Sequence, residues 1–200
     1  AGMVQAIVNQ PGRYELERAD GKRAVVISNQ PVFIKKVNSP WTVKFDTAWN
    51  APASITMQQL QSWTEFEDPG IKYYSGSATY VNDFYIDKLE KRKYELNLGN
   101  VQDMATITVN GKKIGTIWAA PFAADISDYI KTGKNRVEIM VTNLWANRLI
   151  GDGMLPRDKR LTKTNIVKFD DPDAGKYLRR SGLLGPVAIY GTDIHNVSFR

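Results

Sequence analysis

The sequence contains no cysteine, which excludes disulfides, thiol nucleophiles and thiolate metal sites. A secreted or periplasmic address stays open, because oxidising compartments permit disulfides without requiring them. There is one histidine, His195, which removes the usual zinc and catalytic-triad frameworks. No apolar run approaches the roughly 18 to 20 residues of a membrane-spanning helix. The first residues lack the basic flank and apolar stretch of a signal peptide, so export would rest on a leader already removed or carried by another part of the polypeptide. The glycines form neither Gly-x-Gly-x-x-Gly nor a phosphate loop, and Ser181-Gly182-Leu183-Leu184-Gly185-Pro186 is not a Gly-x-Ser-x-Gly elbow. Nucleotide binding and serine hydrolysis therefore have no support.

What is present is a globular composition. The 200 residues are 42% apolar and 24% charged, enough for one well-buried domain or one domain with a small appendage. Lys and Arg number 27 against 21 Asp and Glu, a net +6 that raises the question of an acidic partner. The basic residues are scattered, in Lys35-Lys36, Lys91-Arg92-Lys93, Lys112-Lys113 and Arg179-Arg180, with acids such as Glu90, Glu95 and Asp158 among them. Tracking phosphates needs positive charge gathered on one face, so the pattern reads as a solvated surface and not as a nucleic-acid groove.

The hydropathy period is that of strands. Residues 14–18 and 23–27 flank Asp20-Gly21, and residues 107–109 and 112–114 flank Asn110-Gly111, dipeptides that tolerate the positive φ of tight hairpin turns. Asn110-Gly111 is read as a turn and nothing more. Val137, Ile139 and Val141 alternate with polar neighbours, as do Tyr94, Leu96 and Leu98, and Tyr80, Phe84 and Ile86 line a longer strand. Helical signals are few: Asp125 or Ser127 would cap one short turn over residues 128–131, which Gly133 would stop. Many short strands with almost no helix predict an all-β antiparallel sandwich or jelly roll. Residues 144–184, with Gly151, Gly153, Pro156, Pro172, Gly175 and Gly182, have no clear period and read as a long ordered loop of functional or interface character. A boundary is placed near Asn38-Ser39-Pro40, dividing a linking β-hairpin segment, 1–40, from the main jelly roll, 41–200.

Several segments in order carry a family resemblance. They are Trp41-Thr42-Val43-Lys44-Phe45; Trp63-Thr64 with Gly70-Ile71-Lys72-Tyr73-Tyr74-Ser75-Gly76; Leu98-Gly99-Asn100-Val101 leading to Val109-Asn110-Gly111; and Gly115-Thr116-Ile117-Trp118 with Pro121-Phe122. Asn143-Leu144-Trp145 with Asn147-Arg148-Leu149-Ile150-Gly151-Asp152, and Ser181 to Val187, complete the set. Together, over about residues 41 to 190, they resemble the galactose-binding-domain-like jelly roll of glycoside hydrolases, the sugar-binding domain of family 2 in its broad fold. The similarity is closer to the C-terminal region of large bacterial enzymes resembling the alpha-L-rhamnosidases of family 106. The resemblance implies a module of a larger bacterial glycosidase acting on polysaccharides, with its catalytic carboxylates elsewhere, met in the periplasm or outside the cell. The implied partners are carbohydrate and the catalytic domain of the same polypeptide, with no nucleic acid and no membrane.

The residues themselves offer little for catalysis. Hydrolysis of a glycosidic bond uses two carboxyl groups about 5 to 9.5 Å apart. The best-stocked stretch, Glu65, Glu67 and Asp68, reads as a solvated loop, with a glycosidase built on it the weakest alternative. Asp170-Asp171-Pro172-Asp173 has a spacing that calcium could use, but turn chemistry explains it equally well, and no cofactor is assigned. Sugar contact would use aromatic faces with amide, carboxylate and guanidinium groups on the hydroxyls. The candidates are Trp63, Tyr73, Tyr74, Trp118 and Trp145, with Asn143, Asn147, Arg148 and Asp152. Against this stands the use of large aromatics as core, and of Arg148 and Asp152 as an i, i+4 pair shaping their loop. The module is thus read as a carbohydrate binder or a support for the catalytic domain, the alternative being an inter-domain module with no sugar affinity.

Overall fold

The protein is described by a computed structural model covering residues 4–38, 40–171 and 173–200; Ser39 of the expected boundary and Pro172 of the acidic cluster lie outside the described residues. The strands in chain order are β1 (Val4–Ile7), β2 (Gly12–Glu17), β3 (Arg23–Ser28), β4 (Val32–Lys36), β5 (Trp41–Lys44), β6 (Ser54–Met57), β7 (Ser77–Ile86) and β8 (Arg92–Asn97). They continue as β9 (Asn100–Gln102), β10 (Met104–Val109), β11 (Lys112–Ile117), β12 (Ala123–Asp125), β13 (Gly133–Thr142), β14 (Gly182–Gly185) and β15 (Ala188–Val197). The α-helices are short: α1 (Pro69–Lys72) and α2 (Ala146–Gly153).

Period-2 alternation sets the main sheet. In β13, Asn135, Val137, Ile139 and Val141 are buried, and the strand pairs antiparallel with β7 from Gly133↔Ile86 to Thr142↔Ser77 and with β10 on its other edge. The complete order is β11-β10-β13-β7-β5-β6, antiparallel throughout. The second sheet runs β12-β8-β15, and the far edge of β15 is shared by β4 against Ala188–Gly191 and β1 against residues 194–197. Apolar side chains from both sheets meet in one core, with Val43, Tyr80, Ile107 and Ile139 on one side and Tyr94, Leu96, Val187 and Ile189 on the other. This is an all-β antiparallel sandwich. The hairpin β2–β3 stands apart as its own two-stranded sheet, packing Ala24 and Val26 on Val197 with Tyr14, Leu16 and Phe199 around them. Among the described residues no helix is long and apolar enough to cross a membrane.

Three local outcomes follow from side-chain chemistry. The β10–β11 turn has positive φ at both Asn110 and Gly111, as a two-residue hairpin turn requires. Asn110 is more than a turn residue: its Nδ2 donates to Tyr129 O and Asn135 Oδ1, both at 2.8 Å, and its Oδ1 accepts from Arg136 N at 3.0 Å. The expected turn forms where Asp125 Oδ1 accepts from Ser127 N at 2.9 Å and Ile130 N bonds Ile126 O at 3.2 Å. The segment 144–184, by contrast, contains helix α2, which the sequence pattern hides. Its two glycines mark close approaches: a Cβ on Gly151 would lie 2.7 Å from Tyr73, and one on Gly153 would collide with the carbonyl of Phe169.

Gly182 lies at a close approach within the core. It has φ +98, and a Cβ there would lie 2.5 Å from Tyr80 Oη and 2.7 Å from Trp63 Nε1. Gly182→Ala should therefore combine left-handed strain with overpacking and cost about 3 kcal/mol. Gly21→Ala, at φ +79 with nothing within 4 Å of the new methyl, should cost only about 1 kcal/mol. Urea unfolding of the two variants measures the difference; equal losses would mean that contact at Gly182 contributes nothing.

Candidate functional site

Helix α2 and the chain around it gather most of the residues singled out for binding. The polar ones face inward. Asn143, where β13 ends, accepts from Gly76 N at 2.8 Å and donates to Tyr74 O at 2.9 Å and Ser181 Oγ at 3.0 Å. Asn147 donates to Arg179 O at 2.7 Å and Ser181 Oγ at 2.9 Å, and accepts from Arg179 N at 2.9 Å. Arg148 and Asp152 form the i, i+4 pair at 3.0 Å with both side chains almost wholly buried (4% and 3% exposed). Asp152 also accepts from Leu161 N at 3.2 Å, Thr162 N at 2.8 Å and the Thr162 hydroxyl, which pins residues 161–162 against the helix. Burial pushes the Asp152 carboxyl pKa up, but the Thr162 and Leu161 hydrogen bonds and the Arg148 charge outweigh it and hold it below the usual carboxylate value. These four side chains are engaged by the protein itself and give the segment its shape.

The aromatic candidates divide by burial. Trp63 is fully buried, its Nε1 donating to Tyr80 Oη at 2.6 Å and its ring stacked on Tyr80 and edge-on to Phe45 and Tyr74. Tyr74 is equally buried; its hydroxyl donates to Ser77 O at 2.8 Å and accepts from Asp46 N at 3.0 Å. Both are core residues here, with no ring face open to a ligand. Tyr73 is half-buried, with its hydroxyl 3.6 Å from Met154 Sδ. Trp118, just past β11, is 77% exposed and Trp145, just before α2, is 57% exposed.

Trp145 does not stand alone. Its ring meets Trp49 edge to face, centroids 5.4 Å apart. The pair lines a cavity of about 420 Å³ whose other walls are Leu149, Ile166 and the polar side chains of Thr162, Lys163 and Thr164. The Asp152 anchor therefore fixes one wall of this cavity. Trp49 was not legible as a site residue; its one sequence signal is a tryptophan beside Asn50, a turn-forming residue with φ 59, in the β5–β6 connection.

The acidic clusters serve as local structure. Glu65 lies 3.8 Å from Arg180, and the Asp68 carboxylate caps α1 by accepting from Gly70 N at 2.7 Å. Asp170 pairs with Arg160 at 2.8 Å, and Asp171 accepts from Asp173 N at 2.8 Å. Among the described residues no group of three or more His, Asp or Glu side chains is placed to hold a metal ion.

Comparison with known proteins gives this geometry a family. The sequence profile described as "Glycosyl hydrolases family 2, sugar binding domain" matches residues 20–190. The chain belongs to that family. A protein of Formosa agariphila named "Putative beta-glucuronidase" is 36% identical over 94% of the chain, which covers 18% of that protein. The solved rhamnosidase from a Novosphingobium species is 37% identical, with a TM-score of 0.74 over 83% of this chain and 16% of its own. A beta-glucuronidase from an uncultured Clostridium species, at 22% identity and a TM-score of 0.56, shares the fold. The chain spans less than a fifth of the length of the first two. It is a glycoside hydrolase module resembling their sugar-binding domain.

The Asp152 pair carries a pH signature. Because its folded-state pKa is depressed, its contribution to stability is complete above the ordinary carboxylate value of about 4 and is lost as pH falls through the lower folded value. Asp152→Asn leaves Arg148 buried without a counter-charge and should cost about 3 kcal/mol at neutral pH. Urea midpoints followed from neutral to acidic pH should show a smaller acid-induced loss for the variant than for the parent; parallel curves would remove Asp152 from the acid response.

Proposed function

We propose that this chain is a non-catalytic accessory module of a bacterial glycoside hydrolase acting on polysaccharides, and that it contacts carbohydrate through the Trp145–Trp49 cleft. The observation that carries the reading is that cleft: two tryptophans set edge to face, apolar Leu149 and Ile166, and a polar fringe of Thr162, Lys163 and Thr164 around about 420 Å³. A pyranose has an apolar C–H face that stacks on an aromatic ring and hydroxyls that need hydrogen-bond partners at its rim. The cleft offers both on a segment held rigid from beneath. The reading also rests on family membership and on the place of this domain within much longer glycosidase relatives. It implies a catalytic domain in the same polypeptide and a periplasmic or secreted location, where polysaccharides are met.

A second reading has its own support. Leu144, Met154, Leu155, Ile166, Val167 and Tyr177 are all exposed within the same segment, an apolar surface of the kind that packs against another domain. In that case the module supports the catalytic domain and has no sugar affinity of its own.

Titration of the chain with plant and host oligosaccharides, rhamnose-containing pectic fragments included, separates the two. Intrinsic tryptophan fluorescence and calorimetry should report saturable binding of one saccharide class. Trp145→Ala should weaken that binding about tenfold or more with an unchanged unfolding midpoint, while Trp118→Ala leaves it within about twofold. Silence across the panel with the fold intact would overturn the cleft assignment in favour of the supporting role.

A further inference from the structure

Strand β3 has the composition of a strand covered on both faces. Ala24-Val25-Val26-Ile27 is an unbroken apolar run, whereas a half-buried strand alternates apolar with polar residues. Among the described residues only one of its faces is covered. Ala24 and Val26 are buried against Val197, while Val25 and Ile27, on the opposite face, are 51% and 66% exposed. The edge of β3 away from β2 is open as well. At its first position the Arg23 N–H donates to Arg200 O at 3.1 Å and the Arg23 carbonyl accepts from Arg200 N at 3.0 Å. Backbone groups alternate in direction along a strand, so Val25 and Ile27 turn theirs to the same side as Arg23, and among the described residues β3 pairs with no strand but β2. A two-stranded hairpin is marginal in water, and an open apolar edge is a template for a further strand.

The surroundings narrow what covers this surface. The cross-strand neighbours of Val25 and Ile27 on that face are Glu15 and Arg13, which pair with each other, and Arg23 is held by Glu17 at 3.0 Å. Two cations and two anions cancel, so the face draws neither an acidic nor a basic partner despite the net +6 of the chain. Size then separates a second copy from another part of the same polypeptide. Two side chains and the backbone groups beside them fall well short of the roughly 1,200 Å² that stable association of free partners buries. A tethered partner needs far less contact, because the connection sets a high effective concentration. The first two relatives have more than four-fifths of their length beyond the part that this chain matches.

We propose that Val25 and Ile27 form a docking surface for a β-strand of the same polypeptide outside these 200 residues, which pairs along the β3 edge and brings apolar side chains over this face. The inference rests on the reading of the chain as a module of a longer glycosidase and is independent of the Trp145 cleft.

The test compares the 200-residue chain with the full-length polypeptide that carries it, by amide hydrogen exchange of the peptide spanning β3. In the shorter chain this peptide should contain fast-exchanging amides, those of Val25 and Ile27, and in the longer one they should slow about tenfold or more. Val25→Thr/Ile27→Thr keeps β-branching and strand preference while removing apolar contact. It should leave the unfolding midpoint of the shorter chain unchanged and restore fast exchange in the longer one. Val26→Thr, on the face already covered, should lower the midpoint of both and shows that a loss of packing in β3 is detectable. Equal exchange of the β3 peptide in the two forms would overturn the proposal, as would a double variant with the same effect on both. Sedimentation showing a dimer of the shorter chain that the double variant abolishes would assign the surface to a second copy and also overturn it. Hydrolysis of aryl α-L-rhamnoside or β-D-glucuronide by the full-length polypeptide reports on the module reading separately. An active polypeptide with an unprotected β3 edge fails this proposal alone, and an inactive one with a protected edge fails only the glycosidase assignment.

Discussion

The hydroxyl of Ser181 accepts from two buried amides, Asn143 Nδ2 at 3.0 Å and Asn147 Nδ2 at 2.9 Å, and donates to Arg179 O at 3.1 Å. One donor and two acceptors are all that a hydroxyl has. The backbone of the same residue is also engaged, its N–H donating to Ser62 Oγ and its carbonyl accepting from Trp63 N, both at 3.0 Å. One serine thus joins the end of β13, helix α2, the return of the chain at Arg179 and the turn that carries Trp63 into the core. In a low-dielectric interior such a network rigidifies its members when every group is paired and is costly when one is not. Everything on the α2 face, including the exposed tryptophan, inherits its position from this knot.

The segment from Asn143 to Asp152 inverts the usual arrangement, with its amides, guanidinium and carboxylate directed inward and Leu144 and Trp145 outward. Exposed apolar residues are unremarkable singly, but here they accompany a deliberate burial of polar groups. The inward groups have a structural account in full except for Arg148 Nε, which has no partner. Of the outward ones, Trp145 meets the Trp49 ring while Leu144 stays half exposed, and a contact surface is the reading that accounts for both.

Strands were legible wherever alternation was strict. β13 and the β10–β11 hairpin follow directly from residue type, because a period of two with a positive-φ turn admits few other structures. Helix α2 was not, since it has only eight residues, two of them glycines kept small by Tyr73 and Phe169, and its first turn lacks a side-chain cap. The family resemblance identified the domain type, whereas the site was only half visible. Nothing local distinguishes Trp63 from Trp145: one is buried by Phe45, Tyr74 and Tyr80, the other is left at the surface beside Trp49, and those neighbours come from distant parts of the chain. Ser181 was weighed as a nucleophile and set aside, but its role as a hub depends on three segments that only the fold brings together.

The strength that such a cleft can offer bears on what the module is for. An aromatic contact contributes of order 0.5 to 1.5 kcal/mol beyond the area it buries, and ligand ordering and polar desolvation subtract from the total. On the proposed reading, a single-sugar contact in such a cleft would have about millimolar affinity, about −4 kcal/mol, too weak to hold free sugar usefully. Tethering changes the arithmetic. Attached to a partner that already grips the same polysaccharide, a weak second contact acts at the effective concentration set by the connection and multiplies the whole affinity without any new interaction. The rigidity supplied by Ser181 and the Asp152 anchor matters for the same reason, because a contact whose geometry is fixed in advance loses less on binding. A weak, preorganised surface on a firmly packed sandwich is thus physically adequate for a module within a longer glycosidase, and inadequate for a free-standing lectin.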